Sequence, residues 1–193
     1  EALIVRSSTQ VTEEVLGAGQ RLRVVGRAGA GVDNIDVSAA TRRGVVVMNT
    51  PGGNSVSAAE HSFSMLMALA RNLPQAAASL KAGKWEKSKF TGVELAGKTL
   101  GVIGLGKVGR EVAQRGSAFR MKVLGVDPFV SAEAAGSYGT QLVPLSQLYA
   151  ESDFISLHLP LTGQNHYFIS DGELDQCKEG VRIVNCARGN LID

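Results

Sequence analysis

The residues most able to do chemistry in this sequence are three closely spaced glycines, Gly104, Gly106 and Gly109, and one acidic residue that follows them. An apolar run over residues 99–103 precedes the glycines, and a helical pattern follows them. A second apolar run then ends at Asp127, 18 residues after Gly109. A G-x-G-x-x-G pattern between a strand and a helix, with an acidic residue about 20 positions further on, is typical of dinucleotide binding.

Each glycine in this pattern has its own structural role. Gly104 permits the tight turn from strand to helix, Gly106 lets the backbone approach a pyrophosphate, and Gly109 lets the helix pack closely on the strand. The helix supplies unpaired N–H groups and the positive end of its dipole to the phosphates. Asp127 is expected to accept hydrogen bonds from the adenosine ribose hydroxyls and to repel a 2′-phosphate, so the pattern favours NAD over NADP.

A competing interpretation of the same stretch is a phosphate-binding P-loop. Gly101, Gly106 and Lys107 have the spacing of that motif, which would indicate a bound nucleoside triphosphate. The motif requires Ser or Thr next, as a magnesium ligand, and this chain has Val108 there. The P-loop interpretation therefore fails at its metal ligand.

Two further segments are predicted to reach the carboxyl edge of the same sheet, where ligands bind in doubly wound folds. His158, in the first, is either an acid–base group for a hydroxyl proton or a residue packed against the nicotinamide side of the cofactor. Arg188, in the second, either clamps a carboxylate or carbonyl oxygen or binds carbonyls at the end of the sheet. His61 is expected to be structural and His166 to lie in a loop. No cluster of His, Cys, Asp or Glu has metal-ligand spacing.

The composition is that of an ordinary globular protein, and it excludes several classes of function. Of 193 residues, 20 are Lys or Arg and 18 are Asp or Glu, giving a net charge of +2. The basic residues are dispersed, so neither nucleic acid nor a membrane surface is indicated as a partner. The longest apolar runs are too short to span a bilayer. The two cysteines, Cys177 and Cys186, favour reduced, buried thiols and a cytoplasmic protein.

Strands and helices alternate along the chain, which predicts an α/β protein with parallel sheets. Strands are expected at residues 3–5, 22–25, 45–48, 99–103, 123–126, 141–143, 153–157 and 181–185. Helices are expected after Thr12 and Asp36, over residues 55–69, from Pro74, after Gly109, over residues 132–135 and 145–149, and before Cys177. A hinge between domains is expected at residues 49–55.

The long helix that begins at Ser55 has an apolar stripe at helical spacing, which is more typical of core packing than of a cofactor site. The residues of this stripe are Val56, Ala59, Phe63, Leu66, Met67 and Ala70.

Several segments together resemble the D-isomer-specific 2-hydroxyacid dehydrogenases. They are residues 26–34 (GRAGAGVDN), 48–51 (MNTP), 104–109 (GLGKVG) and 184–189 (VNCARG). The resemblance covers the whole chain. It implies NAD-dependent oxidation of 3-phospho-D-glycerate to 3-phosphohydroxypyruvate, the first step of L-serine biosynthesis, by a homodimer or homotetramer.

The resemblance also implies how the chain is organised. Residues 54–193 would form a Rossmann-type, doubly wound NAD-binding domain that lacks its C-terminal end, and residues 1–53 part of a flavodoxin-like substrate domain. The acid–base histidine of the family and the glutamate that pairs with it would lie beyond Asp193. We therefore expect an internal fragment of an active enzyme that is itself inactive.

Individual roles follow from the matched positions. Arg188 is implied to be the catalytic arginine, which orients the substrate carboxylate and 2-oxygen and stabilises charge on that oxygen. Arg6 and Arg27 are implied to face the substrate phosphate, and the N–H groups of Ala28 and Gly29 its carboxylate. The implied substrate-binding residues are Arg6, Arg27, Ala28, Gly29 and Asn54. The implied cofactor-binding residues are Ala30, Gly104, Gly106, Lys107, Val108, Gly109, Asp127, His158, Leu159, Pro160, Cys186, Ala187 and Arg188.

Two other functions stay open from the sequence. One is a glyoxylate or hydroxypyruvate reductase of the same family, which Asp127 argues against because many of these enzymes prefer NADPH. The other is an NAD-sensing, corepressor-like protein without enzymatic activity. Arg6 and Arg27 favour a phosphorylated substrate over both. The chain departs from the pattern of its close relatives near the site at Ala30, Leu159 and Asn190.

Overall fold

The apolar runs of the sequence form eight parallel strands in two separate sheets. The structure is a computed structural model and describes residues 1–193. The chain divides into two compact units, Glu1–Ser55 and Val56–Asp193. The assignment of residues 1–53 to substrate binding and of residues 54–193 to cofactor binding stays a prediction. No helix combines the length and the apolar character that crossing a bilayer requires.

The first unit holds a three-stranded sheet in the order β1-β2-β3. Its elements are β1 (Ala2–Val5), α1 (Glu13–Ala18), β2 (Val24–Arg27), α2 (Val37–Arg42) and β3 (Val46–Asn49). The predicted helix caps are confirmed. The Val15 N–H donates to the Thr12 hydroxyl at 3.4 Å, and the Ala39 N–H donates to the Asp36 carboxylate at 2.8 Å.

Strand β2 begins and ends two residues later than the expected strand at residues 22–25. Gly26 and Arg27, expected in a glycine-rich loop, pair with Ile4 and Val5 on one side and continue the ladder to β3 on the other. The prediction was wrong here because glycine is a poor strand former, yet a parallel ladder on both sides satisfies its backbone. Arg27 is consequently the last residue of a central strand.

The second unit holds a five-stranded parallel sheet in the order β6-β5-β4-β7-β8. Its strands are β4 (Thr99–Ile103), β5 (Lys122–Val126), β6 (Thr140–Leu142), β7 (Phe154–Leu157) and β8 (Arg182–Asn185). Its helices are α3 (Ser55–Arg71), α4 (Leu73–Lys81), α5 (Lys107–Ala118), α6 (Ala132–Gly136), α7 (Leu145–Glu151) and α8 (Asp171–Leu174), and short 3₁₀ helices span Lys87–Phe90 and Gly189–Leu191.

The chain winds outward from β4 to β6 and then returns past β4 to β7 and β8. This order confirms the predicted doubly wound, Rossmann-type sheet, and it places a switch point at the carboxyl ends of β4 and β7. All five residues of β4 are buried, as expected for a central strand covered on both faces. The flavodoxin-like architecture expected around the first unit is not tested by its three strands.

Two helical predictions needed correction. Helix α3 packs into the core through Ala59, Phe63, Leu66 and Ala70, but the Val56 and Met67 side chains of the predicted stripe are exposed. The last helix ends at Leu174 rather than close to Cys177. Its start is fixed by a capping box in which the Ser170 and Glu173 side chains satisfy N–H groups reciprocally.

Candidate functional site

The turn between β4 and α5 depends on Gly104. Its φ of +90° lies in the region that favours glycine, and its N–H donates to the Val126 carbonyl of β5 at 2.9 Å. A Cβ atom at this position would lie 2.8 Å from the His158 carbonyl oxygen. The turn is therefore tight for two reasons, the backbone angle and the close approach of the segment that follows β7.

Gly106 and Gly109 have different surroundings, as their predicted roles require. A Cβ at Gly109 would lie 1.8 Å from the Gly104 carbonyl oxygen, so α5 packs directly on the turn. A Cβ at Gly106 would meet nothing within 4 Å. Gly106 is also the N-cap of α5 and provides no side-chain cap. The space over Gly106, at the N-terminus of this 12-residue helix, is thus open, which fits the close approach of a pyrophosphate.

Asp127 follows β5, and both of its carboxylate oxygens accept backbone hydrogen bonds. Oδ2 accepts from the Leu105 N–H and Oδ1 from the Phe129 N–H, each at 2.8 Å. The carboxylate therefore joins the glycine loop to the turn after β5. The Phe129 side chain projects from this turn with 94% of its surface exposed.

His158 lies directly after β7, and its ring is held by a strand residue. Its Nε2 lies 2.8 Å from the Ser156 hydroxyl, and Ser156 is itself buried. Burial lowers the pKa of His158 from 6.5 to about 4. The imidazole is therefore neutral near pH 7. A base with so low a pKa is poorly matched to proton abstraction at that pH, so the acid–base alternative is disfavoured.

Arg188 lies in a short loop that Asn185, the last residue of β8, holds in shape. The Asn185 amide nitrogen donates to the Arg188 carbonyl at 2.8 Å, and its amide oxygen accepts from the Ala187 N–H at 3.1 Å. The Arg188 guanidinium donates to the Ala187 carbonyl at 2.9 Å. A part-buried arginine is thus held at the carboxyl edge of the sheet. Its bond to a carbonyl is the kind expected of a structural arginine, and its role toward a ligand stays a prediction.

The other sequence-predicted residues of the second unit lie along the same edge. Val108, Leu159 and Ala187 pack partly into the core, so ligand contacts there would be made mainly by backbone. Lys107 is the first residue of α5 and is exposed, and Cys186 is an exposed free thiol rather than the buried one expected. The Pro160 carbonyl accepts a hydrogen bond from Asn165 at 2.6 Å. No three His, Cys, Asp or Glu side chains are grouped so that they could hold a metal ion.

In the first unit, Arg6 and Arg27 are neighbours at the carboxyl edge of the sheet. Val5, the last residue of β1, pairs with Arg27, and Arg6 follows Val5. The Nε of Arg27 is buried and has no hydrogen-bond partner. Two cations on adjacent strand ends can meet a dianion, because parallel strands present their carboxyl ends at one edge.

The loop after Arg27 contains the N–H groups predicted to bind a carboxylate, and both are already engaged. The Ala28 N–H donates to the Val5 carbonyl and the Gly29 N–H to the Arg27 carbonyl, each at 2.9 Å. The Ala30 carbonyl accepts from the Asn49 side chain at 2.6 Å. A carboxylate would therefore have to replace one of these hydrogen bonds. Asn54 is exposed in the turn that precedes α3, and its role stays a prediction.

Sequence reasoning missed the residues that support the site. Ser156 and His158 are two positions apart around the end of a strand, and period-2 alternation could have paired them. Asn185 was recognised only as a strand residue. A polar side chain at the end of a buried strand, directly before a functional loop, is the signal that could have identified it.

The sequence profile of the "D-isomer specific 2-hydroxyacid dehydrogenase, NAD binding domain" matches residues 63–193. The chain therefore belongs to the D-isomer specific 2-hydroxyacid dehydrogenase family, and its second unit carries that family's NAD binding domain. The predicted cofactor, NAD, is confirmed by this match.

Among characterised relatives, the chain is 57% identical over all its residues to D-3-phosphoglycerate dehydrogenase of Rattus norvegicus and 53% identical to that of Archaeoglobus fulgidus. It spans 36% and 37% of the lengths of these two proteins. A crystal structure of Aquifex aeolicus D-lactate dehydrogenase complexed with NAD and lactic acid is similar over the whole chain and over 58% of its own length, with a TM-score of 0.90 and 35% identity.

Proposed function

We propose that the full protein oxidises 3-phospho-D-glycerate to 3-phosphohydroxypyruvate with NAD, the first step of L-serine biosynthesis. The observation that carries this proposal is the 49–57% identity, over the whole chain, to relatives named D-3-phosphoglycerate dehydrogenase. The adjacent cations Arg6 and Arg27 support the choice of a phosphorylated substrate. The first unit would bind the substrate and the second the cofactor.

The proposed chemistry removes a hydride from C2 of the substrate and a proton from its C2 hydroxyl. NAD, when bound, accepts the hydride. The Arg188 guanidinium orients the substrate carboxylate and stabilises the charge that develops on the 2-oxygen as the C2–H bond breaks. The proton passes to a general base, a role we do not give to His158 because its pKa of about 4 makes it a weak base.

The cofactor contacts follow from the geometry of the glycine loop. The N–H groups of the first turn of α5 would bind the pyrophosphate, which approaches closely because Gly106 has no side chain. Asp127 would bind the adenosine ribose hydroxyls, with the Leu105 N–H fixing the orientation of its carboxylate. This carboxylate disfavours the 2′-phosphate of NADP.

The direct test is a substrate panel offered to the full-length protein: 3-phospho-D-glycerate and D-glycerate with NAD, and glyoxylate and hydroxypyruvate with NADH and NADPH. We expect kcat/KM for 3-phospho-D-glycerate to exceed that for D-glycerate by about a hundredfold, since charge-assisted hydrogen bonds to the phosphate are lost with D-glycerate. Preferred reduction of glyoxylate with NADPH would replace the proposal by a reductase. Binding of NAD without any turnover would indicate an NAD-sensing protein.

We also infer that the protein is a cytoplasmic homodimer or homotetramer. Large apolar side chains are exposed on α3, α4 and the segment after them, including Met65, Leu73, Leu80 and Trp85. Exposed apolar surface of this kind is typical of protein–protein interfaces, and a second copy of the chain would cover it. Light scattering on the full-length protein tests this, and a monomeric mass at micromolar concentration would contradict it.

A further inference from the structure

We propose that Gly29 is a positioning residue that provides the seat for the Arg27 guanidinium. The inference rests on the proposed function, in which Arg27 binds the substrate phosphate. It adds a reason for the glycine that is separate from any hydrogen bond made by its backbone. The two residues belong to the same unit and are only two positions apart.

The evidence is the space that Arg27 occupies. A Cβ atom built on Gly29 would lie 1.8 Å from Nη1 and 2.8 Å from Cζ of Arg27. The guanidinium therefore lies directly against the Cα of Gly29, where any other residue would have its side chain. The Arg27 Nε is buried in this position without a hydrogen-bond partner. The seat is thus defined by shape and not by an ion pair to Nε.

The backbone on both sides of the seat is fixed. Arg27 ends the central strand β2, paired with Val5 and with Asn49. The Gly29 N–H donates to the Arg27 carbonyl at 2.9 Å, and the Gly29 carbonyl accepts from the Thr50 N–H at 3.0 Å. A methyl group on residue 29 would consequently displace the guanidinium, which is the movable end of a long side chain, before it displaced the loop.

Displacement of the guanidinium has a specific kinetic consequence. The phosphate would lose a cationic partner, while the group that reacts at C2 would keep Arg188. A change confined to phosphate binding raises KM and leaves kcat nearly unchanged, because the phosphate takes no part in bond breaking. A general disturbance of the site would lower kcat as well.

The test is a double-mutant cycle on the full-length protein, with KM for 3-phospho-D-glycerate measured in the wild type, Gly29→Ala, Arg27→Ala and the double variant. Each single substitution is expected to raise KM about tenfold or more, with kcat within about twofold of wild type. In the Arg27→Ala background, Gly29→Ala should add no more than about twofold. Independent effects that multiply in the double variant would overturn the proposal.

The cycle also separates the seat from backbone strain. Gly29 has a φ of +157°, which alanine rarely adopts, so Gly29→Ala carries a backbone cost in either background. The backbone cost of Gly29→Ala is the same in the Arg27→Ala protein. The displacement of the guanidinium is not, because that protein has no guanidinium at residue 27. Gly26→Ala, on the strand that Arg27 ends, is the matched control, because its Cβ would meet only Ile4 Cγ1, at an ordinary 3.8 Å.

A structural measurement keeps the inference testable if Gly29→Ala fails to fold or if the wild-type protein does not oxidise this substrate. A crystal structure of the wild-type protein soaked with 3-phospho-D-glycerate should show the guanidinium against Gly29 whether or not the phosphate is bound there. A guanidinium that leaves Gly29 in that crystal would overturn the proposed seat. Failure of the wild-type protein to turn over the substrate would instead overturn the proposed function.

Discussion

The Asp127 carboxylate is hydrogen bonded to the glycine loop, since its Oδ2 accepts from the Leu105 N–H at 2.8 Å. Asp127 and this loop are expected to bind the same cofactor. One side chain therefore has two roles, a structural one toward the glycine loop and a predicted one toward the adenosine ribose. Substitutions that keep or remove the oxygen acceptor can separate these roles.

Asp127→Asn keeps an oxygen acceptor for the Leu105 N–H, but it removes the negative charge and the acceptor for the Phe129 N–H. We expect it to lower the ratio of the Kd for NADP to the Kd for NAD by about tenfold, because the repulsion of a 2′-phosphate is lost. Asp127→Ala should lower the melting temperature more than Asp127→Asn does, since the Leu105 N–H loses its partner as well. Calorimetric titration of the full-length protein with both cofactors measures the first effect. Asp175→Asn, an exposed carboxylate at the end of α8, is the control. An unchanged preference in Asp127→Asn would contradict the predicted ribose contact.

Gly106→Ala and Gly109→Ala are a matched pair with opposite expected effects. At Gly109 the added methyl would lie 1.8 Å from the Gly104 carbonyl oxygen, and overpacking of this kind costs about 1–3 kcal/mol or more. At Gly106 it meets nothing, so the melting temperature should stay near that of wild type while the Kd for NAD rises. Thermal melts with and without NAD distinguish the two variants. If Gly106→Ala melted like wild type and also bound NAD like wild type, the pyrophosphate would not approach this residue.

The sequence was sufficient for the architecture wherever apolar runs had clear ends. The strand expected at 99–103 was found at those residues, because a buried parallel strand is a continuous apolar run that a glycine turn ends. It was insufficient where the sheet imposed pairing on weak strand formers. Gly26 and Arg27 were predicted to lie in a loop, but they pair with β1 on one side and β3 on the other and so belong to β2. That shift determines where Arg27 projects.

In the site, the sequence predicted the residues that are expected to contact ligands. It did not predict the residues that hold those side chains and loops in position. The glycine loop, Asp127 and Arg188 stand at strand ends that a motif can locate. The hydrogen bonds of Asn185 to the Arg188 loop join residues whose contact depends on the turn conformation, which the sequence pattern does not specify. The Arg27 guanidinium lies against Gly29 because of the conformation of the Arg27 side chain. The periodicity of the sequence does not specify side-chain conformations.

Arg188→Ala in the full-length protein should lower kcat by about a hundred- to a thousandfold, the effect of removing a group that stabilises charge on a reacting oxygen. Arg188→Lys should restore little of this loss, because an ammonium cannot bind a carboxylate in the bidentate way. Arg182→Ala is the matched control: this arginine stacks on Phe154, 5.4 Å from its ring centre, at the opposite end of β8. Steady-state rates with saturating NAD measure all three. Equal losses in Arg182→Ala and Arg188→Ala would remove the case for a catalytic arginine.

His158 should make the stability of the protein depend on pH below neutrality. Its pKa is lowered by burial from 6.5 to about 4 in the folded state, so the unfolded chain binds the proton more tightly. The contribution of the neutral ring is therefore complete above pH 6.5 and is lost as the pH falls toward 4. The shift corresponds to at most about 3 kcal/mol. Urea unfolding between pH 7 and pH 4 measures this loss.

The variant His158→Gln isolates the effect of this ring from that of the carboxylates. Asp153 also loses a contribution in acid: although burial raises its pKa, hydrogen bonds from the Thr99 N–H and Lys178 hold it below 3.8, so its loss begins only near that value. We expect the fall in stability between pH 6.5 and pH 4 to be smaller in His158→Gln than in wild type. His61→Gln, which removes an exposed histidine of α3, is the matched control. If His158→Gln and wild type lost stability in parallel, the imidazole would not be buried as a neutral ring beside Ser156.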